Sequence, residues 1–134
     1  MNIKSLIPHR EPMIMIDKII NHSEVDTVTS LAIKEDNIFL ENNIFQSSGL
    51  IENMAQSAAA RFGIEANLKG KKPALGYIAS IKNMTVKRLP IKGDIILTKV
   101  IQTNQINNII VIQAETKKDN IVVSNCELKV FIER

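Results

Sequence analysis

Aromatic residues are scarce in this chain, with four phenylalanines, one tyrosine and no tryptophan among 134 residues. Surfaces that read nucleic acid set a basic stripe among stacking rings, so the modest net charge of +3 does not point there. The lysines stand mostly alone between apolar stretches and cluster only at Lys69-Gly70-Lys71-Lys72 and Lys87-Arg88. Such clusters suit an acidic protein partner, or are simply solvated loop charge. Cysteine is limited to Cys126, which excludes an internal disulfide and fits a reducing, cytoplasmic setting. The opening MNIKSLIPHREP lacks the apolar core and the small-residue cleavage site of a secretion signal. No window nears the roughly 18 consecutive apolar residues of a membrane-spanning helix, and repeats and low-complexity tracts are absent. Glycine builds no phosphate-binding loop, so no nucleotide cofactor is expected. Neither His9 nor His22 has an acid or cysteine at ligand spacing, so no metal is expected either.

What is present is apolar and patterned. With 45% hydrophobic residues, a chain of this length can bury one core but hardly two, so a single domain over 1–134 is expected. Met13–Ile20 is a short isoleucine-rich run closed by Asn21, and it reads as a strand with Val25–Lys34 as its hairpin partner. Glu35–Ser48 reads as an irregular connection. Ala74–Ile81, Met84–Arg88, Asp94–Thr103, Ile109–Thr116 and Ile121–Ile132 read as further strands. A turn at Pro90-Ile91-Lys92-Gly93-Asp94 and hairpin connections at 103–108 and 117–120 separate them. Alternation is clearest in the last strand, where Val122, Ser124, Cys126, Leu128, Val130 and Ile132 should share a core face. Cys126 is then a buried small apolar residue rather than a reactive thiol.

Residues 49–63, GLIENMAQSAAARFG, interrupt the strands with small side chains at helical spacing. The helix is expected over about 48–63, with Ser47 or Ser48 as its cap and Gly63 as a left-handed stop. A lone helix beside six or seven antiparallel strands has to bury itself against the sheet. Ala55, Ala58 and Ala59 would let a strongly curved sheet approach it closely. The expected class is therefore α+β, a curved antiparallel sheet wrapped around one central helix, with open edges that invite pairing with another chain. Glu52 and Gln56 lie one turn apart and form a narrow polar stripe. Glu52 either complements the positive start of the helix, worth on the order of 0.3–1 kcal/mol, or serves as general acid or base in an apolar cleft. In the second case, amides near Ser47, Ser48 and Gly49 would polarise a substrate carbonyl.

The opening Leu6-Ile7-Pro8-His9-Arg10-Glu11-Pro12-Met13-Ile14-Met15-Ile16-Asp17-Lys18-Ile19 resembles the L-P-H-R-x-P-F-L-L-V-D-R-V start of the hot-dog-fold 3-hydroxyacyl-[acyl-carrier-protein] dehydratases. Glu52-Asn53-Met54-Ala55-Gln56 is similar to their E-A-M-A-Q helix signature. Gly76-Tyr77-Ile78-Ala79-Ser80-Ile81-Lys82 and Pro90-Ile91-Lys92-Gly93-Asp94 resemble a later strand and its P-G-D turn. The matches come in the family's order and span nearly the whole chain. The details also resemble the dehydratase-like members of aryl-polyene and flexirubin-type pigment clusters. The resemblance implies the hot-dog fold and loss of water from a 3-hydroxyacyl thioester, in fatty-acid or polyene-type biosynthesis. It implies a substrate on the phosphopantetheine arm of an acyl carrier protein, with no other cofactor, and a homodimer or a hetero-oligomer with a related hot-dog protein. By the same resemblance Glu52 is the catalytic carboxylate, working with a histidine of the partner chain. Gln56 either orders the site or is a helix-surface amide.

One departure is large. The family's histidine sits in G-H-F-P-x-x-P-x-x-P-G just before the helix, where this chain reads Phe39-Leu40-Glu41-Asn42-Asn43-Ile44-Phe45-Gln46-Ser47-Ser48-Gly49. Asn42 falls approximately at the histidine's place, and an asparagine cannot shuttle a proton near neutral pH. His9 belongs to a motif that family members carry beside their catalytic histidine; it is expected to be structural, or else to stand in as the base. His22 is expected in an exposed turn. Three readings follow: an active dehydratase with its base from His9 or a partner chain, a catalytically deficient subunit paired with an active relative, and a thioesterase using Glu52. Substrate contacts are expected from Asn42, Ser47, Ser48, Gly49 and Gln56.

Overall fold

A computed structural model describes residues 2–72 and 75–133. In chain order its strands are β1 (Lys18–His22), β2 (Asp26–Ala32), β3 (Leu40–Glu41), β4 (Ile44–Phe45), β5 (Leu75–Val86), β6 (Ile95–Ile106), β7 (Ile109–Lys118) and β8 (Ile121–Glu133). One helix, α1 (Ser47–Leu68), lies between β4 and β5. The large sheet is antiparallel throughout, in the order β1-β2-β6-β7-β8-β5, and it wraps the helix as the sequence leads one to expect. Ala74, the first residue of one expected strand, lies outside the described residues. The two strands expected over Ala74–Arg88 are a single β5, interrupted by register shifts between Ile78 and Ser80 and between Lys82 and Thr85, the second around Asn83, whose φ is 54°.

Strand β8 shows why the sheet forms. Cys126, Leu128, Val130 and Ile132 are buried at alternate positions, each removing apolar surface from water at about 25 cal/mol per Å². A register shift opposite Thr116/Lys117 breaks the period at the start of the strand, so Val123 is buried and Val122 only half-buried. Helix α1 buries residues around nearly its whole circumference, among them Leu50, Met54, Ala58, Ala60 and Ile64. For that reason it carries no single apolar stripe of the kind a surface helix has.

Both helix ends differ from expectation. The N-cap is Gln46 and makes no side-chain capping bond; its amide donates instead to the Ile44 carbonyl at 2.9 Å. Ser47 and Ser48 lie inside the helix and are exposed. At the other end Gly63 does not stop the helix. It admits the N-terminal segment, because a Cβ there would meet the Leu6 carbonyl oxygen at 2.3 Å. Termination comes at Gly70, φ +66°, where the Lys71 N–H bonds the Ala66 carbonyl and the Gly70 N–H bonds that of Asn67. This paired closure is the Schellman pattern.

The N-terminal segment runs back along α1. Leu6 sits against Gly63, while Met13–Met15 lie beside Gln56 and Asn53. The expected strand at Met13–Ile20 therefore starts only at Lys18, since the backbone of Met13 and Met15 is bonded to helix side chains and the first bond to β2 is that of the Asp17 N–H to the Ser30 carbonyl. The expected irregular stretch at 35–48 contains the β3–β4 hairpin, turned by Asn42 and Asn43 at φ 51° and 66°. Two central residues with positive φ make the tight turn suited to two-residue hairpins.

Candidate functional site

Glu52 projects from the second turn of α1 and is half-buried. Its Oε2 accepts a hydrogen bond from Gln56 Nε2 at 3.0 Å. Gln56 is no surface amide: it is fully buried, its Nε2 also donates to the Met13 carbonyl at 2.8 Å, and its Oε1 accepts from the Met15 N–H at 2.6 Å. The stretch just after P-H-R-x-P and the E-x-M-x-Q helix turn are thus joined through the amide side chains of Gln56 and Asn53.

Gly49 allows the first turn of the helix to seat on aromatic rings. A Cβ at Gly49 would lie 2.5 Å from Phe45 Cζ and 2.8 Å from Phe39 Cβ, and the two rings meet edge to face with centroids 6.4 Å apart. The Gly49 N–H donates to the Gln46 carbonyl at 2.9 Å, so this amide is already engaged. Asn42 is exposed at the tip of the β3–β4 hairpin. That hairpin is fixed by Phe45 N–H to the Pro90 carbonyl and Lys92 N–H to the Asn43 carbonyl.

His9 lies further along the helix. It lines a cavity of about 110 Å³ with Leu6, Ala55, Ala59, Phe62 and Ile78, and Glu52 is not among the lining residues. From α1 the cavity takes Ala55, Ala58, Ala59 and Phe62, so His9 faces the small-residue side of the helix. His22, expected to be exposed, is half-buried, and its Nδ1 lies 2.8 Å from Thr27 Oγ1. Thr27 in turn accepts from Arg61, a buried guanidinium that also donates to the Ser23 and Glu24 carbonyls and pairs with Glu65 at 3.0 Å. The signal for this hidden polar side was present as Asn53, Ser57 and Arg61 at fourfold spacing, opposite alternating Thr27 and Thr29.

The two basic clusters do not form one patch. Lys69–Lys72 follow the C-terminal end of a 22-residue helix, some 33 Å long at 1.5 Å per residue. Lys87 and Arg88 lead into Leu89 and Pro90, which pack on the Phe45 and Leu50 end. Only the second pair lies at the Glu52 end.

The family model for ApeP-like proteins, described as ApeP dehydratase, matches residues 1–134. The chain belongs to the ApeP-like dehydratase family. It is a dehydratase-like hot-dog protein related to the enzymes that act on 3-hydroxyacyl carriers. A 3-hydroxyacyl-[acyl-carrier-protein] dehydratase FabZ of Rhizobium leguminosarum bv. trifolii is 31% identical, over 98% of this chain and 87% of the relative. One from Burkholderia thailandensis is 26% identical over 94% of the chain and 82% of the relative. Among solved structures, the dehydratase heterocomplex ApeI:P from Xenorhabdus doucetiae superposes with a TM-score of 0.92 at 16% identity, covering all of this ApeP-like chain and 92% of the other. A hypothetical thioesterase from Streptococcus pneumoniae superposes at 0.71 with 9% identity, covering 87% and 84%, which shows the shared fold alone. Among the described residues, no helix is long and apolar enough to cross a membrane.

Proposed function

We propose that this chain supplies the carboxylate half of a dehydratase site and that a second hot-dog chain supplies the base. The supporting observation is an asymmetry: the motif carboxylate is present and held by a buried amide, whereas the place of the motif histidine is an exposed hairpin tip at Asn42. The substrate is a 3-hydroxyacyl thioester on the phosphopantetheine arm of an acyl carrier protein, and no further cofactor is needed. The partner's imidazole removes the Cα proton. The electron pair forms the Cα–Cβ double bond as the Cβ–O bond breaks, and Glu52 in its acid form delivers a proton to the departing hydroxyl, so that water leaves. The proton on the imidazole then returns to Glu52 for the next turnover.

Lys87 and Arg88, both exposed at the Glu52 end, are the cations placed to meet an acidic carrier protein, and the work belongs in the cytoplasm. The thioesterase reading is not needed to account for any residue. The test is intact-mass analysis of a 3-hydroxyacyl-loaded carrier incubated with this chain alone, with a histidine-bearing dehydratase relative alone, and with both together. The expected result is loss of one water when the histidine-bearing chain is present, and none with this chain alone. Dehydration by this chain alone would overturn the shared site.

A further inference from the structure

A line of hydrogen bonds connects the sheet to Glu52, and every donor in it points the same way. The Thr98 hydroxyl on β6 donates to Asn53 Oδ1, and Thr116 Oγ1 on β7 lies 2.8 Å from Thr98 Oγ1. With the Thr98 proton used on Asn53, Thr116 is the donor of that pair. Asn53 Nδ2 donates to the Met15 carbonyl at 2.8 Å, the Met15 N–H donates to Gln56 Oε1 at 2.6 Å, and Gln56 Nε2 donates to Glu52 at 3.0 Å. Asn53, Gln56, Thr98 and Thr116 are all fully buried.

The direction is dictated rather than chosen. The Met15 carbonyl can only accept, so Asn53 must turn its NH₂ there and its oxygen to Thr98. The Met15 N–H can only donate, so Gln56 must turn its oxygen there and its NH₂ to Met13 and Glu52. The linkage is positional, because the Met15 carbonyl and N–H are held on one residue by Asn53 and Gln56, and its last member is an N–H aimed at a carboxylate.

We propose that Asn53 is a positioning residue for Glu52, acting through the Met15 backbone and Gln56. It fixes the Glu52 rotamer by holding the Gln56 amide that donates to the carboxylate. This rests on Glu52 being the proton donor of the dehydratase reading.

Asn53→Ala, assayed in the assembled dehydratase, is expected to lower kcat about three- to tenfold with KM nearly unchanged. Thr98→Val, which spares the Asn53–Met15 bond, is expected to give a smaller fall in kcat, again with KM nearly unchanged. Thr29→Val, which breaks the buried Thr29–Ser57 bond on the same side of the helix, is expected to leave both kcat and KM in place. A loss for Asn53→Ala that lies in KM rather than kcat, or an equal loss of kcat in Thr29→Val, would reduce Asn53 to a structural role and overturn the proposal.

A second readout needs no catalysis: amide exchange of Met15 in this chain, expected to quicken about tenfold in Asn53→Ala and not in Thr29→Val. Unchanged Met15 exchange would also overturn the proposal. Faster exchange alongside a Glu52-independent reaction would uphold the linkage while refuting the dehydratase role of Glu52.

Discussion

Gly63→Ala sets two physical effects against each other, and the geometry decides between them. In a helix interior, alanine is favoured over glycine by roughly 0.5–1 kcal/mol, and Gly63 lies well inside Ser47–Leu68. On propensity alone the variant would be more stable. However, the added Cβ would lie 2.3 Å from the Leu6 carbonyl oxygen, 2.9 Å from its Cα and 3.0 Å from its carbonyl carbon. These are backbone atoms, and restoring an ordinary contact means moving the segment by about 1 Å. Leu6 is not free to move: its N–H is bonded to the Ile3 carbonyl, and Ile3, Leu6 and Ile7 pack with Ile16, Ala60 and Ile64. Overpacking of such a core costs typically 1–3 kcal/mol, which exceeds the propensity gain. A net loss of about 1–2 kcal/mol is expected, read as a lower urea midpoint at fixed protein concentration with an unchanged slope. Faster proteolysis before Met13 should accompany it, as the N-terminal segment lifts from the helix. A midpoint equal to or above that of the parent would refute the close-approach account of Gly63.

Three further outcomes are expected. Gln56→Leu strands the buried Met15 N–H while Glu52 and the exposed Met13 can turn to water, costing about 1–3 kcal/mol in urea unfolding; no loss would mean that Gln56 is not the anchor of that segment. Burial pushes the Cys126 thiol from 9.0 up to about 11, so above pH 9 the unfolded chain releases a proton that the folded chain keeps. Stability should therefore fall as pH rises from about 9 to about 11, more steeply than in Cys126→Ala, and equal slopes in denaturation curves would contradict it. Reversing Lys87 and Arg88 to Glu should weaken carrier binding severalfold at low salt, whereas reversing Lys69 and Lys71 at the far helix end should not; calorimetric titration separates the two, and equal effects would sink the assignment of the docking end.

Legibility in the sequence followed how local each cause was. Cys126 through Ile132 announce their strand because every second side chain is buried, and that period survives without knowledge of the partner. The helix showed itself through its alanines, but its end did not. Gly63 has the residue type of a stop, while the chain's true stop at Gly70 sits in a lysine-rich loop that looked like a connection. Met13–Met15 read as strand because they open a short isoleucine-rich run, yet their backbone hydrogen bonds go to side chains some forty positions away, which no period can reveal. The Asn42-Asn43 pair was a readable turn signal, masked by flanking strands of two residues each. At the site, Glu52 and Gln56 were legible as a pair from their spacing, whereas the buried Asn53–Thr98–Thr116 connection needed three separate elements brought together.

The most direct measurement uses this chain together with a histidine-bearing dehydratase relative whose own helix carboxylate has been changed to glutamine. Each chain then lacks one half of the chemistry. Incubated with a 3-hydroxyacyl-loaded carrier protein and followed by intact mass, the mixture is expected to lose one water per substrate. The same mixture with Glu52→Gln in this chain should leave the substrate intact. Equal water loss with and without Glu52 would contradict the claim that this chain donates the working carboxylate.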